Sequence, residues 1–146
     1  MRVRPVVETD AREWVRLRTA LWPEAPEDHP TEVAAYLEDP PPDAACFVAE
    51  EPEGAVVGFA EVALRPHAEG CLTSPVGYLE GIYVDDPARR RGYARAMVRA
   101  CEAWARARGC TEFASDRALD NQESGSFHLA TGFQEAGRIV CYRKAL

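Results

Sequence analysis

The chain has 146 residues, of which 47% are apolar and 28% charged, and its formal net charge is −7 at pH 7. That length predicts one domain, residues 1–146, with a core large enough to fold without disulfides or a structural metal. The acidic balance argues against nucleic acid as the main partner and suits a cationic one. No apolar run of about 18 residues occurs, so neither a membrane span nor a membrane partner is expected.

The cysteine content favours a reducing compartment. Five cysteines occur, an odd number, and none lies in a C-x-x-C pair: Cys46, Cys71, Cys101, Cys110 and Cys141. Reduced thiols and a cytoplasmic location are the simplest interpretation, and no metal site is expected. The first ten residues also lack the apolar stretch of a secretion signal.

The first half of the chain predicts a strand, two helices and a pair of antiparallel strands. The strands are indicated by short β-prone apolar runs and the helices by apolar residues at i, i+3 and i+4. Pro23 should end the first helix, which Asp10 can cap, and Gly54 should supply the turn between the paired strands. The predicted elements are a strand over residues 2–7, helices over 10–21 and 31–37, and strands over 46–50 and 55–64.

The second half predicts two strand–helix crossovers and a last strand. Gly109 and Gly132 follow the last residues of two amphipathic patterns, as glycines that end helices do. The predicted elements are a loop over 65–77, a strand over 78–84, a helix over 92–109, a strand over 112–115, a helix over 121–131 and a strand over 139–144. This order predicts an α/β fold with a mixed central sheet flanked by helices.

A basic glycine turn joins the strand over 78–84 to the helix that follows. It reads Arg89, Arg90, Arg91, Gly92, Tyr93 and Ala94. Unpaired N–H groups at a helix start, the positive end of the helix dipole and local arginines all favour the same anion. The N–H groups of Arg91 to Ala94 are therefore expected to face a pyrophosphate, with Arg89 and Arg90 adding charge-assisted bonds. A solvated basic helix start is the alternative; a G-x-G-x-x-G dinucleotide fingerprint is absent.

These motifs resemble the GCN5-related N-acetyltransferase (GNAT) superfamily over nearly the whole chain. The turn matches the acetyl-CoA signature Arg/Gln-x-x-Gly-x-Gly/Ala, and Asn121 with residues 128–133 resembles the second cofactor motif. Segments outside these motifs narrow the likeness to bacterial aminoglycoside 6′-N-acetyltransferases. They are residues 21–23, 70–71, 74–76, 79–84, 114–116 and 142–144.

The resemblance implies transfer of acetyl from acetyl-CoA to a small cationic amine, the 6′-amino group of an aminoglycoside, which gives antibiotic resistance. It also implies two splayed parallel strands that form the acetyl-CoA slot. Ile82, Tyr83 and Val84 would bind the acetyl-pantetheine arm, and an N–H near Ile82 would polarise the thioester carbonyl. Gly81 in mid-strand favours a bulge at the splay, or else accommodates packing. Asn121 would bind the cofactor, cap its helix, or do both.

Two carboxylates are predicted to receive the amine. Glu80 lies in an otherwise apolar strand, where a buried charge is costly unless it has a task or a partner. Asp116 follows the next strand, at the strand end where α/β sheets usually bind ligands. Because a carboxylate of ordinary acidity is a weak base towards an amine, Glu80 is expected to bind the ammonium and pass its proton through water. A salt bridge to an arginine is the alternative for each.

The remaining site candidates are less specific. His128 stands where the superfamily usually has a tyrosine general acid and is a candidate for protonating the leaving thiolate, with Tyr142 or water as alternatives. Glu135 is a third candidate carboxylate for the acceptor. Trp22 is expected to frame the acceptor pocket with the loop, or to belong to the core, and His29 is expected on the surface.

The C-terminal strand over 139–144 has no hairpin partner, and an unpaired apolar edge is a hazard. A second subunit that covers or exchanges this strand predicts a homodimer. Two other functions stay open: acetylation of another polyamine or of a protein amine, and a non-catalytic acyl-CoA sensor. Glu80 and Asp116 favour an enzyme, because a sensor has no need of carboxylates on the acceptor side.

Overall fold

The structure is a computed structural model that describes residues 1–146. Its strands are β1 (Arg2–Pro5), β2 (Ala44–Glu50), β3 (Val56–Arg65), β4 (Val76–Val84) and β5 (Phe113–Ser115). Its helices are α1 (Ala11–Leu21), α2 (Asp28–Glu38), α3 (Tyr93–Ala107) and α4 (Gln122–Ala130), with short 3₁₀ turns at Glu8–Asp10 and Asp86–Ala88. The predicted order of elements is confirmed as far as α4. None of the helices combines the length and apolar character needed to cross a bilayer.

The five strands form one sheet in the order β1-β2-β3-β4-β5. Every neighbouring pair is antiparallel except β4 and β5, which run parallel. A helix, α3, connects the two parallel strands, as such a crossover requires. The predicted α/β fold with a mixed sheet is therefore confirmed.

Two apolar clusters cover the two faces of the sheet. Successive strand residues point to opposite faces, and accordingly Val48 and Phe59 belong to one cluster while Ala49 and Ala60 belong to the other. The helices α1 and α2 bury Trp14, Leu17 and Val33 in the first cluster, and α3 buries Met97, Val98 and Cys101 in the second. The apolar stripe read from the α3 sequence is the stripe that packs on the sheet.

A bulge in β4 lies where the sheet opens. Opposite β3, Glu61 pairs with Gly81 and Val62 pairs with Leu79, so Glu80 is the extra residue. The extra residue of a bulge bends its strand and increases the local twist. The predicted bulge next to Gly81 is thus present, and the residue it displaces is Glu80 itself.

The pairing of the two parallel strands ends at this bulge. The last pair that joins β4 to β5 is Leu79 with Ser115. Beyond it β4 continues to Val84, paired with β3 on one side and with no strand on the other. The splay expected between the two parallel strands is therefore present, and it leaves an open strand edge.

The C-terminal strand is a correction to the sequence prediction. Residues 133–146 have no regular secondary structure, and Ile139, Val140 and Tyr142 are 67%, 75% and 92% exposed. The strand at the nearer edge of the sheet in sequence, β5, is three residues long. So short an edge offers few ladder hydrogen bonds, and a strand without a partner is not stable in water.

Two local predictions are also wrong. His29 is buried rather than on the surface. It lies in the first turn of α2, which begins at Asp28, and Pro30 follows it at a position where a helix tolerates proline. Asp10 occupies the N-cap position of α1 but makes no capping bond. Its carboxylate instead accepts hydrogen bonds from the Arg4 guanidinium and the Val7 N–H, at 2.7 and 2.9 Å, and the pKa of Asp10 is lowered mainly by Arg4.

Candidate active site

The basic turn places a helix N-terminus beside the open edge of β4. Gly92 is the N-cap of α3 and has φ of 88°, a left-handed conformation that glycine adopts without strain. No side chain caps the helix there. Because the first N–H groups of a helix have no partner within it, the start of α3 is an anion site built from backbone.

The three arginines of the turn differ in what they contact. Arg89 donates to the carbonyl of Val84 at 2.9 Å and pairs with Asp86 at 2.8 Å. Arg91 pairs with Glu51 at 2.6 Å. Arg90, with φ of 61°, has no ion-pair partner. Within the chain, then, Arg89 and Arg91 already bind their own acids, and Arg90 is the guanidinium left free for an added anion.

The open edge of β4 runs from the bulge to the basic turn. It carries the backbone of Ile82, Tyr83 and Val84, which pair with β3 on their other side. The guanidinium of Arg89 lies 5.4 Å from the Tyr83 ring and ties the strand to the turn. An extended ligand with amide groups can pair with such an edge as an added strand does.

Glu80, the bulge residue, binds Arg65 at the end of β3. The guanidinium donates two hydrogen bonds to the carboxylate, at 2.9 and 2.6 Å. The guanidinium also lies 3.5 Å from the centre of the Tyr78 ring. The arginine salt bridge considered for Glu80 is thus present in the free protein.

Asp116 is held by a neutral group instead. The Tyr78 hydroxyl donates to the Asp116 carboxylate at 2.5 Å. Burial, together with that carboxylate, raises the pKa of Tyr78 well above its ordinary value, so the phenol stays a donor. Tyr78 and Arg65 therefore connect the two predicted carboxylates in one cluster at the splay.

Trp22 lies against the bulge. A side chain at Gly81 would overlap the Trp22 ring and come within 3.1 Å of Leu21, so glycine is also required by packing. The ring meets Phe59 edge-on at 6.0 Å between centroids. Trp22 is half-buried. Both interpretations of Gly81 therefore apply, and Trp22 is a core contact that lies against the bulge.

A buried polar network supports Trp22 from behind. His29 bonds the Trp22 carbonyl at 2.8 Å through Nε2 and accepts from Arg18 at 3.2 Å through Nδ1. Arg18 also pairs with Glu61 at 2.6 Å, and burial raises the pKa of that carboxyl. A cavity of about 190 Å³ between α1, α2 and the sheet is lined by Glu61 and Glu80, among others. Glu32 and Arg18 also line the cavity, so its charged lining consists of three carboxylates and one guanidinium.

His128 reaches the splay from α4. Its Nδ1 bonds the Ser124 carbonyl at 2.7 Å, and its Nε2 lies 2.8 Å from the Ser115 hydroxyl. Since Nδ1 faces a carbonyl it carries a proton, which leaves Nε2 of the neutral ring to accept from Ser115. Ser115 also contacts the carbonyl of Leu79 at 3.3 Å, where β4 and β5 separate.

Asn121 and Glu135 have local partners. Asn121 caps α4, its side chain accepting from the Ser124 N–H at 3.0 Å. Glu135 is exposed and pairs with Arg138 at 2.5 Å, which lowers the pKa of Glu135. Next to it, Ala136 packs on Gly70 in the loop over 66–75. Glu135 therefore lies beside the predicted acceptor loop, away from any bond to Glu80 or Asp116.

Four contributors to the site were missed from the sequence: Arg65, Tyr78, Ser115 and Glu112. Glu112 accepts from the N–H groups of Leu72 and Thr73, each at 2.8 Å, and so fixes the acceptor loop to β5. The period-2 rule could have placed Tyr78 on the same strand face as Glu80. Arg65 depends on the pairing of β3 with β4, which no local pattern indicates.

A larger cavity of about 580 Å³ lies elsewhere, between α1 and the start of β3. Its charged side chains pair with one another, as Arg16 does with Asp85 at 2.8 Å and Arg4 with Asp10. None of the predicted site residues lines it. No group of three or more His, Cys, Asp or Glu side chains is arranged to hold a metal.

The fold and the site define a class of protein. An uncapped helix start and an open strand edge suit an extended anionic carrier, while an acidic pocket across the bulge suits a cationic acceptor. The two meet where β4 and β5 separate, so that a group can pass from one ligand to the other. This is the arrangement of a group-transfer enzyme that acts on two substrates.

Comparison with known proteins gives the family. Residues 14–133 match the family described as "Acetyltransferase (GNAT) family". The chain is 47% identical over 146 residues to "Aminoglycoside N(6')-acetyltransferase type 1" of Klebsiella aerogenes, covering 99% of this chain and 96% of the relative. It is 40% identical to the protein of that name from Stenotrophomonas maltophilia, covering 99% and 93%. The chain belongs to the acetyltransferase (GNAT) family.

A solved structure resembles this chain over almost its whole length. AAC(6')-Iy in complex with the bisubstrate analog CoA-S-monomethyl-acetylneamine superposes with a TM-score of 0.92 at 36% identity, covering 99% of this chain and 98% of that chain. That analog joins CoA to an aminoglycoside fragment. A protein of the same fold and length thus holds both ligand types at once.

Proposed function

We propose that this protein is an acetyl-CoA-dependent aminoglycoside 6′-N-acetyltransferase. The observation that carries the proposal is the cluster of Glu80 and Asp116 at the splay, on the acceptor side of an open strand edge and an uncapped helix. The relatives that share the fold over nearly their whole length carry this activity in their names. An acetyl-CoA sensor without turnover has no use for the acidic side of the splay.

The cofactor half binds acetyl-CoA mainly through backbone groups. The amide-bearing arm pairs with the open edge of β4, and the pyrophosphate lies on the N–H groups at the start of α3. Arg90 adds the free guanidinium, whereas Arg89 and Arg91 shape the turn through their own acidic partners. The proposed acetyl-CoA-binding residues are Ile82, Tyr83, Val84, Arg89, Arg90, Arg91, Gly92, Tyr93, Ala94 and Asn121.

The acceptor half receives the amine as an ammonium group. Glu80 binds it and passes its proton towards water, and Asp116 binds a second positive group of the acceptor. The neutral amine then attacks the thioester carbonyl, which the backbone N–H near Ile82 polarises. A C–N bond forms and the C–S bond breaks, so the acetyl group ends on nitrogen. Trp22 walls the pocket, and Glu135 adds negative charge at the acceptor loop.

His128 is proposed to protonate the departing thiolate. The Nε2 of His128 lies 2.8 Å from Ser115, the residue at which the strands separate. Both of its nitrogens have fixed partners, so the ring is held in one orientation. To act as the acid, His128 must carry a proton on Nε2, the nitrogen that accepts from Ser115 in the free protein, as well as on Nδ1. The ring then gives the Nε2 proton to sulfur and regains one from water, while the proton that the amine loses leaves through Glu80 to water.

An assay of free thiol release tests the function. Acetyl-CoA should be consumed with kanamycin and tobramycin, and mass spectrometry and NMR of the product should place one acetyl group on the 6′-nitrogen. Spermidine and a lysine-containing peptide serve as alternative acceptors. Faster turnover with either of them would replace the aminoglycoside with another amine. Tight acetyl-CoA binding without turnover on any amine would make the protein a sensor.

We also propose that the protein is a homodimer. The apolar side chains of Ile139, Val140 and Tyr142 lie exposed on a segment with no ladder partner. Burying this segment against the short outer edge of β5 in a second copy would remove both the exposed apolar surface and the free edge. Sedimentation should give twice the chain mass, and removal of residues 139–146 should give a monomer.

The five cysteines favour a cytoplasmic location. Each of them is a free thiol, and Cys46, Cys101 and Cys110 are buried. An oxidising compartment would offer no bond partner to these buried thiols. Fractionation of a host cell that expresses the protein should place the thiol-release activity in the cytoplasmic fraction.

A further inference from the structure

The carboxylate proposed to receive the acceptor already binds a cation. Arg65 grips Glu80 through two parallel hydrogen bonds, so both carboxylate oxygens are in use. The two-point geometry is the one by which arginine matches a carboxylate. An incoming ammonium therefore meets a carboxylate that the protein's own guanidinium occupies.

The Arg65 guanidinium also covers Tyr78, the residue that holds the neighbouring carboxylate of Asp116. Arg65 stacks on the Tyr78 ring, whose hydroxyl holds Asp116. Residues 65 and 78 are diagonal neighbours across β3 and β4, because Ala63 is the direct partner of Tyr78. Arg65 therefore contacts both the Glu80 carboxylate and the tyrosine ring that holds Asp116.

The pair is placed so that it can open. The side chains of Arg65 and Glu80 are 41% and 31% exposed, so water reaches the pair and screens it, and another cation can exchange for the guanidinium. Arg65 is the last residue of β3, directly before the acceptor loop over 66–75. Its side chain can turn towards solvent without disturbing the sheet.

We propose that Arg65 is an internal competitor that occupies Glu80 in the free protein and is displaced by the ammonium group of the acceptor. The inference rests on the proposed function of the same pocket. The displacement opposes the binding of every acceptor, but a polycation offsets it through further contacts with Asp116 and the acidic cavity. A simple monoamine has no such contacts, so after Arg65 has lowered the affinity of every amine by the same factor, a monoamine binds too weakly to occupy the pocket.

Arg65→Gln tests the competition, with calorimetric binding of kanamycin and steady-state kinetics as the two readouts. Because the variant removes the cation that competes for Glu80, kanamycin should bind about two- to fivefold more tightly, a gain equal to the strength of a solvent-screened ion pair. The kcat should stay within about twofold, and the KM for acetyl-CoA should not change. Arg65→Lys keeps the charge but loses the two-point bond, so it should shift binding in the same direction by less.

A double-mutant cycle makes the test specific. Arg65→Gln should tighten kanamycin binding in the wild-type background but not in Glu80→Gln, where the carboxylate is absent. Arg106→Gln is the matched control, since Arg106 is an exposed arginine paired within α3, far from the pocket. It should leave binding unchanged.

The outcomes separate this inference from the proposed function. Weaker kanamycin binding, or a large fall in kcat with unchanged binding, would show that Arg65 supports Glu80 rather than competing for it. A gain that persists in Glu80→Gln would also overturn the inference. In each of these cases the wild-type protein still acetylates aminoglycosides; absence of that activity would instead contradict the proposed function.

Discussion

The two halves of the site recognise charge in different ways. On the cofactor side the anion-binding groups are backbone N–H groups at the start of α3, with no side chain to cap them. On the proposed acceptor side the groups expected to bind cations are side-chain carboxylates, and both already have partners. Glu80 is held by Arg65 and Asp116 by Tyr78.

Because of this difference, the affinity of the backbone half is fixed by the fold, whereas the affinity of the side-chain half depends on its internal partners. A backbone site is fixed by the fold and offers the same N–H groups to any pyrophosphate, so it suits a carrier that never varies. A side-chain site can be satisfied internally until a ligand displaces the internal partner. Such a site lowers the affinity of every ligand by the cost of displacing the internal partner, so only ligands with many further contacts still bind tightly.

The largest expected effect is on the backbone half. Gly92→Val forces a β-branched residue into a left-handed conformation and moves the start of α3 away from the pyrophosphate. Loss of two charge-assisted bonds, at about 2 kcal/mol each, predicts a fall of about 1,000-fold in kcat/KM for acetyl-CoA. Steady-state kinetics with acetyl-CoA varied at saturating kanamycin would measure it.

The same helix supplies the control. Gly109 follows the end of α3, has φ of 84° and has no neighbour within 4 Å of an added Cβ. Gly109→Val should therefore lower the melting temperature about as much as Gly92→Val while leaving kcat/KM near the wild-type value. Equal losses of activity in both variants would mean that the turn acts through stability and not through the cofactor.

The next effect concerns the acceptor half. Glu80→Gln keeps the size of the side chain but removes the charge that binds ammonium and receives its proton. It should lower kcat with kanamycin by about 100-fold, the scale of a lost acid–base group, while the Kd for acetyl-CoA changes less than twofold. Glu102→Gln, at a half-buried carboxylate of α3 that pairs with Arg106, is the control. An unchanged kcat in Glu80→Gln would remove Glu80 from the site.

A smaller effect is expected where the halves meet. His128→Gln and Ser115→Ala each break the contact of 2.8 Å at the splay, and each should lower kcat by about tenfold. Because the two side chains act as one unit, the double variant should be little worse than either single one. Fully multiplicative losses would show that the two residues act separately.

The cofactor half was the more predictable half, for a local reason. A turn of six consecutive residues, a glycine and a helix start contain all the information that a backbone anion site needs. The bulge was also foreseen, because Gly81 interrupts an apolar strand. The sequence did not reveal that Glu80 is itself the extra residue, since this depends on the register between β3 and β4.

The partners of the acceptor carboxylates could not be read in the same way. Arg65 and Glu80 are 15 positions apart, and Tyr78 and Asp116 are 38 apart. Contacts at these separations follow from strand pairing, which a local pattern does not encode. The predicted strand over 139–144 failed for a related reason: its residues are β-prone, but strand structure also depends on pairing with a distant strand, and this segment pairs with none.

The smallest effect distinguishes the two carboxylates from each other. Arg65 is a cation and competes with the acceptor, whereas the Tyr78 hydroxyl is neutral and uses one of the two oxygens of Asp116, which leaves the other free to accept. Tyr78→Phe should thus weaken kanamycin binding by about fivefold, the value of one lost hydrogen bond of about 1 kcal/mol that orients Asp116. Arg65→Gln should tighten it. Arg106→Gln, a change in an exposed arginine paired within α3, is the control for calorimetry. If Tyr78→Phe tightened binding as well, both internal partners would be competitors, and Arg65 and Tyr78 would each block the acceptor in the free protein.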